Sequence, residues 1–180
     1  MVSVAGVAAW CWPRSAAAQL TQGEALRLAF PPPVLVERRT AYLSEADLAR
    51  AQALAGGEAE VTSRVVTYYV GEQDGRPVGV AYFDRHRVRT LDEVVMIVVA
   101  PGDRVERVEI VEFREPPEYR APAGWLRQFS GKRLDQDLSL RGSVAAITGA
   151  TLTSRAVVRS LRRVLALHQV IAPFGQSLPR

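Results

Sequence analysis

Cysteine and lysine are almost absent from this chain. Among 180 residues there is one cysteine, Cys11, and one lysine, Lys132, so the 23 basic residues set against 19 acidic ones are nearly all arginine. A single thiol excludes an internal disulfide framework and cysteine-based metal sites, and no C-x-x-C-H is present for covalent c-type haem. Long apolar runs are scarce as well: the N-terminal "MVSVAGVAAWCW" is too short to span a bilayer, and no stable membrane span is expected. No Walker loop, Rossmann glycine pattern, Ser-His-Asp set or pair of catalytic carboxylates stands out. The net charge of +4 is mild, acidic residues are interspersed throughout, and no basic stripe with interleaved aromatics argues for nucleic acid.

What is present is the composition of an ordinary globular protein, 48 % apolar and 23 % charged, with length enough for one domain and a substantial core. The first residues stand apart. An apolar run followed by "PRSAAAQL", with its Ala16–Ala18 triplet, has the pattern of a secretory signal peptide, although its start lacks the usual positive charge. An apolar N-terminal tail is the alternative. Trp10 is not the small residue that a lipidation site wants before Cys11. Residues 1–18 are therefore read as a signal peptide, and 19–180 as a single domain exported to the periplasm or cell envelope. Cleavage after Ala18 would leave no thiol.

Along the chain, "LTQGEALRLAFPPP" (20–33) predicts a short helix ended by prolines. "YLSEADLARAQALAGG" (42–57) predicts a second, with Ser44 and Asp47 forming its cap and Gly56-Gly57 its stop. Strands follow at 61–70 and 78–88, joined by an Asp74-Gly75 hairpin turn, then a near-continuous apolar strand at 92–101 and another at 104–113. Val105, Val108, Ile110 and Phe113 alternate imperfectly, which predicts a bulge. A proline-rich loop (114–124) leads into an amphipathic turn with Trp125, Leu126 and Phe129 inward; 133–146 gives no clear signal. A long helix is expected over 154–172, with Arg155, Arg159, Arg162 and Arg163 turned mostly to solvent. The fold class is α+β: a mostly antiparallel sheet built from hairpins, flanked by N-terminal helices and a long C-terminal helix.

The stretch that carries chemistry is "TGATLTS" (148–154), where hydroxyls bracket two residues of minimal bulk at the mouth of that helix. A helix N-terminus attracts anions through its unpaired N–H groups and its dipole. Gly149 and Ala150 would let the backbone approach a phosphate, Thr151 offers a hydroxyl that can be esterified, and Thr153 or Ser154 could cap the helix. The alternative is a simple capped turn.

This sequence resembles the flavinylation motif of the FMN-binding domain family, which includes the FMN-carrying subunits of the sodium-pumping NADH:quinone oxidoreductase and of the Rnf complex. The resemblance extends over the hairpin sheet, "FREPPEY", the "WLRQF-GK" segment, the motif and the helix. It implies FMN joined covalently through its phosphate to Thr151 by a dedicated flavin transferase, with Thr148, Gly149 and Ala150 completing the recognition sequence and Leu152 and Thr153 beside it. Where the family often carries an aspartate, this chain has Ala145, a departure that bears on recognition by the transferase and not on the acceptor.

Glu115, Tyr119 and Trp125 are further candidates for the flavin pocket, with core packing the alternative for Trp125 and Phe129. His86 could approach the flavin edge or be a surface histidine among arginines, and His168 reads as a half-buried packing residue. The implied function is electron transfer by an exported flavoprotein between a membrane or periplasmic redox donor and acceptor, rather than a stand-alone enzyme. The competing function is an exported binding or assembly module without flavin, using an Arg-rich contact helix.

Overall fold

Two short helices in the N-terminal part begin with reciprocal caps. In the computed structural model, which describes residues 19–175, helix α1 (Gln22–Ala29) starts at Thr21, whose hydroxyl accepts from the Glu24 N–H while the Glu24 carboxylate accepts from the Thr21 N–H. Helix α2 (Glu45–Ala55) repeats the device with Ser44 and Asp47 and stops at Gly56, whose φ of 81° suits glycine. The segment read as a signal peptide, with Cys11, lies outside the described residues.

The strands β1 (Leu35–Tyr42), β2 (Val65–Gln73), β3 (Arg76–Arg87), β4 (Asp92–Ala100) and β5 (Arg104–Phe113) form one antiparallel sheet in sequence order. β1 was not anticipated: its "LVERRTAY" is charged and mostly exposed, as befits a sheet edge that must discourage further pairing. The β2–β3 turn is the expected two-residue hairpin, with Asp74 and Gly75 both at positive φ. The predicted irregularity in β5 is two bulges. Pairing with β4 skips Glu106 and Val111, and these are the places where the apolar spacing of β5 widens from two residues to three.

β4 is buried on both faces because the sheet is covered on both. Val95, Ile97 and Val99 point into the main core, beneath α2 and the long helix α4 (Thr151–Ile171). Met96 and Val98 point into a smaller core closed by Ala25 and Phe30 of the α1 region. Gly71 and Gly79 are cross-strand partners, and the Phe30 ring packs against both: a Cβ would sit 2.6 Å from the ring at Gly71 and 3.0 Å at Gly79. The segment read as an inward turn is helix α3 (Ala123–Leu126) followed by a 3-10 turn, with Leu126 and Phe129 buried and Trp125 half-buried.

The glycine pair yields a stability prediction. Gly71→Ala should destabilise by about 1–3 kcal/mol through overpacking against Phe30. In a Phe30→Ala background the same change should cost little or stabilise, since alanine is preferred to glycine within a strand. Urea unfolding of the double-mutant cycle checks this; equal costs in both backgrounds would contradict it.

Candidate functional site

The motif folds as a turn followed directly by a helix. The Ala150 N–H donates to the Ile147 carbonyl, closing a turn whose third residue, Gly149, has a φ of 80°. That is the type II arrangement, in which glycine is favoured for its backbone conformation. Close approach is not what demands it: a Cβ at 149 would meet nothing within 4 Å. Helix α4 then starts at Thr151, three residues earlier than the sequence suggests.

Neither Thr153 nor Ser154 caps it. The N-cap is Ala150, which has no side-chain oxygen to offer. Ser154 instead braces the turn from within the helix, its hydroxyl accepting from the Ile147 N–H at 2.9 Å and donating to the Ala150 carbonyl at 3.1 Å. The Thr153 hydroxyl donates to the Tyr119 carbonyl at 2.7 Å, binding the 3-10 turn Pro117–Tyr119 to the helix mouth. Among the described residues, the N–H groups of Thr151, Leu152 and Thr153 meet no acceptor. The Thr151 side chain is exposed and makes no hydrogen bond.

A cleft of about 210 Å³ opens at this point, lined by Gly149, Ala150, Thr151, Leu152, Thr153, Tyr119 and Arg89. Five of the motif candidates and Tyr119 are thus together; Thr148 is exposed beside them. Arg89 is the member that sequence reasoning missed. It sits in the β3–β4 turn with its guanidinium 5.6 Å from the Tyr119 ring centre, and nothing in "DRHRVRT" distinguishes it from its arginine neighbours.

Glu115 and Trp125 do not line the cleft. One oxygen of Glu115 accepts from the N–H groups of Arg89, Thr90 and Leu91 at 3.1, 2.7 and 2.9 Å and from the Thr90 hydroxyl at 3.3 Å. Those bonds, the one from Leu91 foremost, hold its carboxyl below the usual range and fix the β3–β4 turn. Trp125 donates its indole N–H to the Ala145 carbonyl at 2.6 Å and packs edge-on against Phe129. Gln128 accepts from the Ala145 N–H at 2.9 Å, so Ala145 is clamped through its backbone.

The histidines and two of the helix arginines are not where the sequence put them. His86 is no surface residue: its side chain is 10 % exposed and bridges Asp84 (2.9 Å) and Glu93 (3.0 Å), while Arg163 reaches Asp84 at 2.6 Å. Burial works against a charged imidazole here, but the bonds to Asp84 and Glu93 prevail and raise His86 to about 9. Burial likewise opposes ionised Asp84, and the bonds from His86 and Arg163 outweigh it, lowering Asp84 to about 2. His168 is fully rather than half buried, with Nδ1 2.9 Å from the Tyr82 hydroxyl, and burial lowers it to about 4 despite Asp103. Arg162 donates to the carbonyls of Ala55, Asp135 and Leu138, joining α2, α4 and the irregular 133–146 loop. Of the arginine face, only Arg155 and Arg159 are exposed, which halves the contact helix that a flavin-free module would use.

Residues 92–166 match the family described as FMN-binding domain. The fold is similar to that of NqrC from Shewanella oneidensis, with a TM-score of 0.56 over 86 % of this chain and 91 % of that one, at 18 % identity. No curated protein matches. Among the described residues, no helix is long and apolar enough to cross a membrane.

The buried histidines predict a stability maximum near pH 6.5. His86, raised in the folded state, contributes stability that is complete below pH 6.5 and lost as pH rises through about 9, on the order of 3 kcal/mol. His168, lowered in the folded state, contributes stability present above pH 6.5 and lost as pH falls toward about 4. Asp84 adds a loss below pH 3.8, down to about 2. Urea unfolding across pH 3–10 should show both arms, and His86→Gln should flatten the alkaline one. A wild-type profile level from pH 6.5 to 9 would exclude a charged His86.

Proposed function

With residues 92–166 assigned to the FMN-binding domain family, we propose that this protein is an exported electron-transfer flavoprotein whose FMN is esterified through its phosphate to Thr151. The observation that carries the reading is the bare N-terminus of α4. The two helices nearer the N-terminus of the chain are closed by reciprocal caps, whereas α4 starts at an alanine and leaves three N–H donors beside an exposed threonine hydroxyl. A phosphate group fits that donor set: three backbone N–H groups, the positive end of a 21-residue helix, and Arg89 across the cleft.

Once bound, FMN supplies the redox chemistry. The chain's own residues hold and orient it. The N–H groups of Thr151, Leu152 and Thr153 would hold the phosphate oxygens, Tyr119 and the exposed Leu152 would offer apolar surface beside the ester, and Thr153 keeps Tyr119 in place. Attachment gives the chain one FMN and removes the elements of water. Thr151 would supply the hydroxyl oxygen and give up its proton, and an activated flavin nucleotide would supply the phosphoryl group, its phosphoanhydride bond breaking and that oxygen leaving with the electron pair. Among the described residues no carboxylate or histidine is hydrogen-bonded to Thr151, so the base comes from a separate flavin transferase.

A cleft of about 210 Å³ is smaller than the roughly 300–1,000 Å³ of sites that enclose their ligands. The ester, not enclosure, would then retain the flavin and leave its ring system accessible to redox partners. We read the protein as a carrier between a membrane or periplasmic donor and acceptor, and not as an enzyme with its own substrate.

Intact mass of the exported protein, co-expressed with a flavin transferase, tests the reading. Wild type should gain one FMN less one water, and Thr151→Ala should gain nothing. The same spectrum tests whether residues 1–18 are removed. An unmodified wild type would sink covalent attachment, and an equal gain in both proteins would move it to another hydroxyl.

A further inference from the structure

Arg89 lies outside the motif, yet it is the side-chain cation that lines the cleft at Thr151. We propose that Arg89 is the counter-charge of the Thr151 phosphodiester, held ready by Glu115; the proposal rests on the covalent reading above.

Three observations support it. First, the guanidinium has no carboxylate partner among the described residues. It lies over the face of Tyr119, which leaves its N–H donors for an anion while the cation–π contact holds the plane in place. Second, the turn that carries Arg89 is fixed. The buried Glu115 carboxylate gathers the N–H groups of residues 89, 90 and 91, and the Val88 N–H donates to the Leu91 carbonyl, so the Arg89 backbone has little freedom. Third, the Tyr119 that carries this ring is tied to α4, because Thr153 donates to the Tyr119 carbonyl. Helix mouth, Tyr119 and Arg89 thus form one braced unit around the oxygen to be esterified.

The charge argument runs the same way. A phosphodiester keeps one negative charge at every physiological pH. The helix terminus offers it roughly half a positive charge, and a guanidinium, which stays protonated, supplies the remainder through paired N–H donors. Arg155, one turn along α4 and also without a carboxylate partner among the described residues, bears the same charge but does not line the cleft, and is the natural comparison.

The experiment uses full-length protein matured with the transferase, in wild type, Arg89→Gln, Arg89→Lys, Arg155→Gln and Glu115→Gln. Two quantities are read: the rate of mass gain and the phosphorus NMR resonance of the loaded ester. Arg89→Gln should slow attachment about tenfold, the scale of one charge-assisted hydrogen bond, and displace the resonance. Arg89→Lys should restore most of both, and Arg155→Gln should leave both near wild type. Glu115→Gln should move both in the direction of Arg89→Gln. An Arg89→Gln protein with wild-type rate and resonance overturns the proposal, as does an Arg155→Gln effect of equal size, which would indicate net charge alone. Wild-type behaviour of Glu115→Gln, with Arg89→Gln affected, overturns the part assigned to Glu115. A wild type that gains no mass is the failure of the covalent reading itself, and is distinguishable because it precedes any difference among the variants.

Discussion

The register of α4 against the sheet decides where everything else in this molecule lies. That register is fixed by charge as well as by apolar packing. Arg163 makes two hydrogen bonds to Asp84 of β3, whose carboxylate also meets His86, which in turn meets Glu93 of β4. A slide of the helix would part Arg163 from Asp84, and removing one partner from such a buried set typically costs about 3–5 kcal/mol. Hydrophobic contact tolerates sliding; a bidentate guanidinium does not. Arg162 adds the second constraint by occupying the carbonyl end of α2. About 18 Å of helix separates Arg163 from Thr151, so these contacts place the helix mouth beside the β3–β4 turn.

The β3–β4 turn meets that helix mouth by a separate route. Glu115, just beyond β5, collects the backbone of residues 89–91, and Thr153 secures the loop between Glu115 and α3. The site is therefore assembled from ends of elements and not from their faces, with rigid elements behind it: α4 on one side and a hairpin with an anchored tip on the other. Leaving the helix uncapped at this point forfeits about 1 kcal/mol relative to a serine or aspartate cap. A helix whose residues from Thr153 to His168 are largely buried can tolerate that loss. The shorter α1 and α2 bury far less and carry full caps.

Much of this was legible in the sequence where a local rule governs. The Ser44–Asp47 cap, the Asp74-Gly75 turn, the doubly buried β4 and the irregular spacing of β5 each follow from residues a few positions apart, and each is found. A turn leading straight into the last helix was legible too, although the helix begins at Thr151, three residues before its pattern suggested. What escaped notice depended on distant residues. β1 has no apolar alternation because its environment is a sheet edge. His86 reads as exposed among arginines until β4 brings Glu93 beside it and α4 brings Arg163. Thr153 and Ser154 have the composition of caps, but their hydroxyls are taken by Tyr119 and by the 147–150 turn. Arg89 and Glu115 stand 26 positions apart, and only the fold makes them one device.

The shallow cleft and the proposed ester are two sides of one physical argument. A non-covalent flavoprotein retains its cofactor by enclosing the ring system, and enclosure isolates the ring from partner proteins. A covalent bond separates retention from burial: the tether holds whatever the surrounding surface contributes, and the surface is then free to serve contact. Such an arrangement asks little of the protein beyond a nucleophilic hydroxyl without a competing hydrogen bond, a field that favours a phosphate, and a backbone stiff enough to keep the ester in one place. Thr151, the bare N–H groups of α4 with Arg89, and the turn braced by Ser154 supply those three things in that order. The same logic explains why the strongest ordering interactions lie behind the site, at Glu115, Thr153 and Arg163, and not on the surface that would face a redox partner.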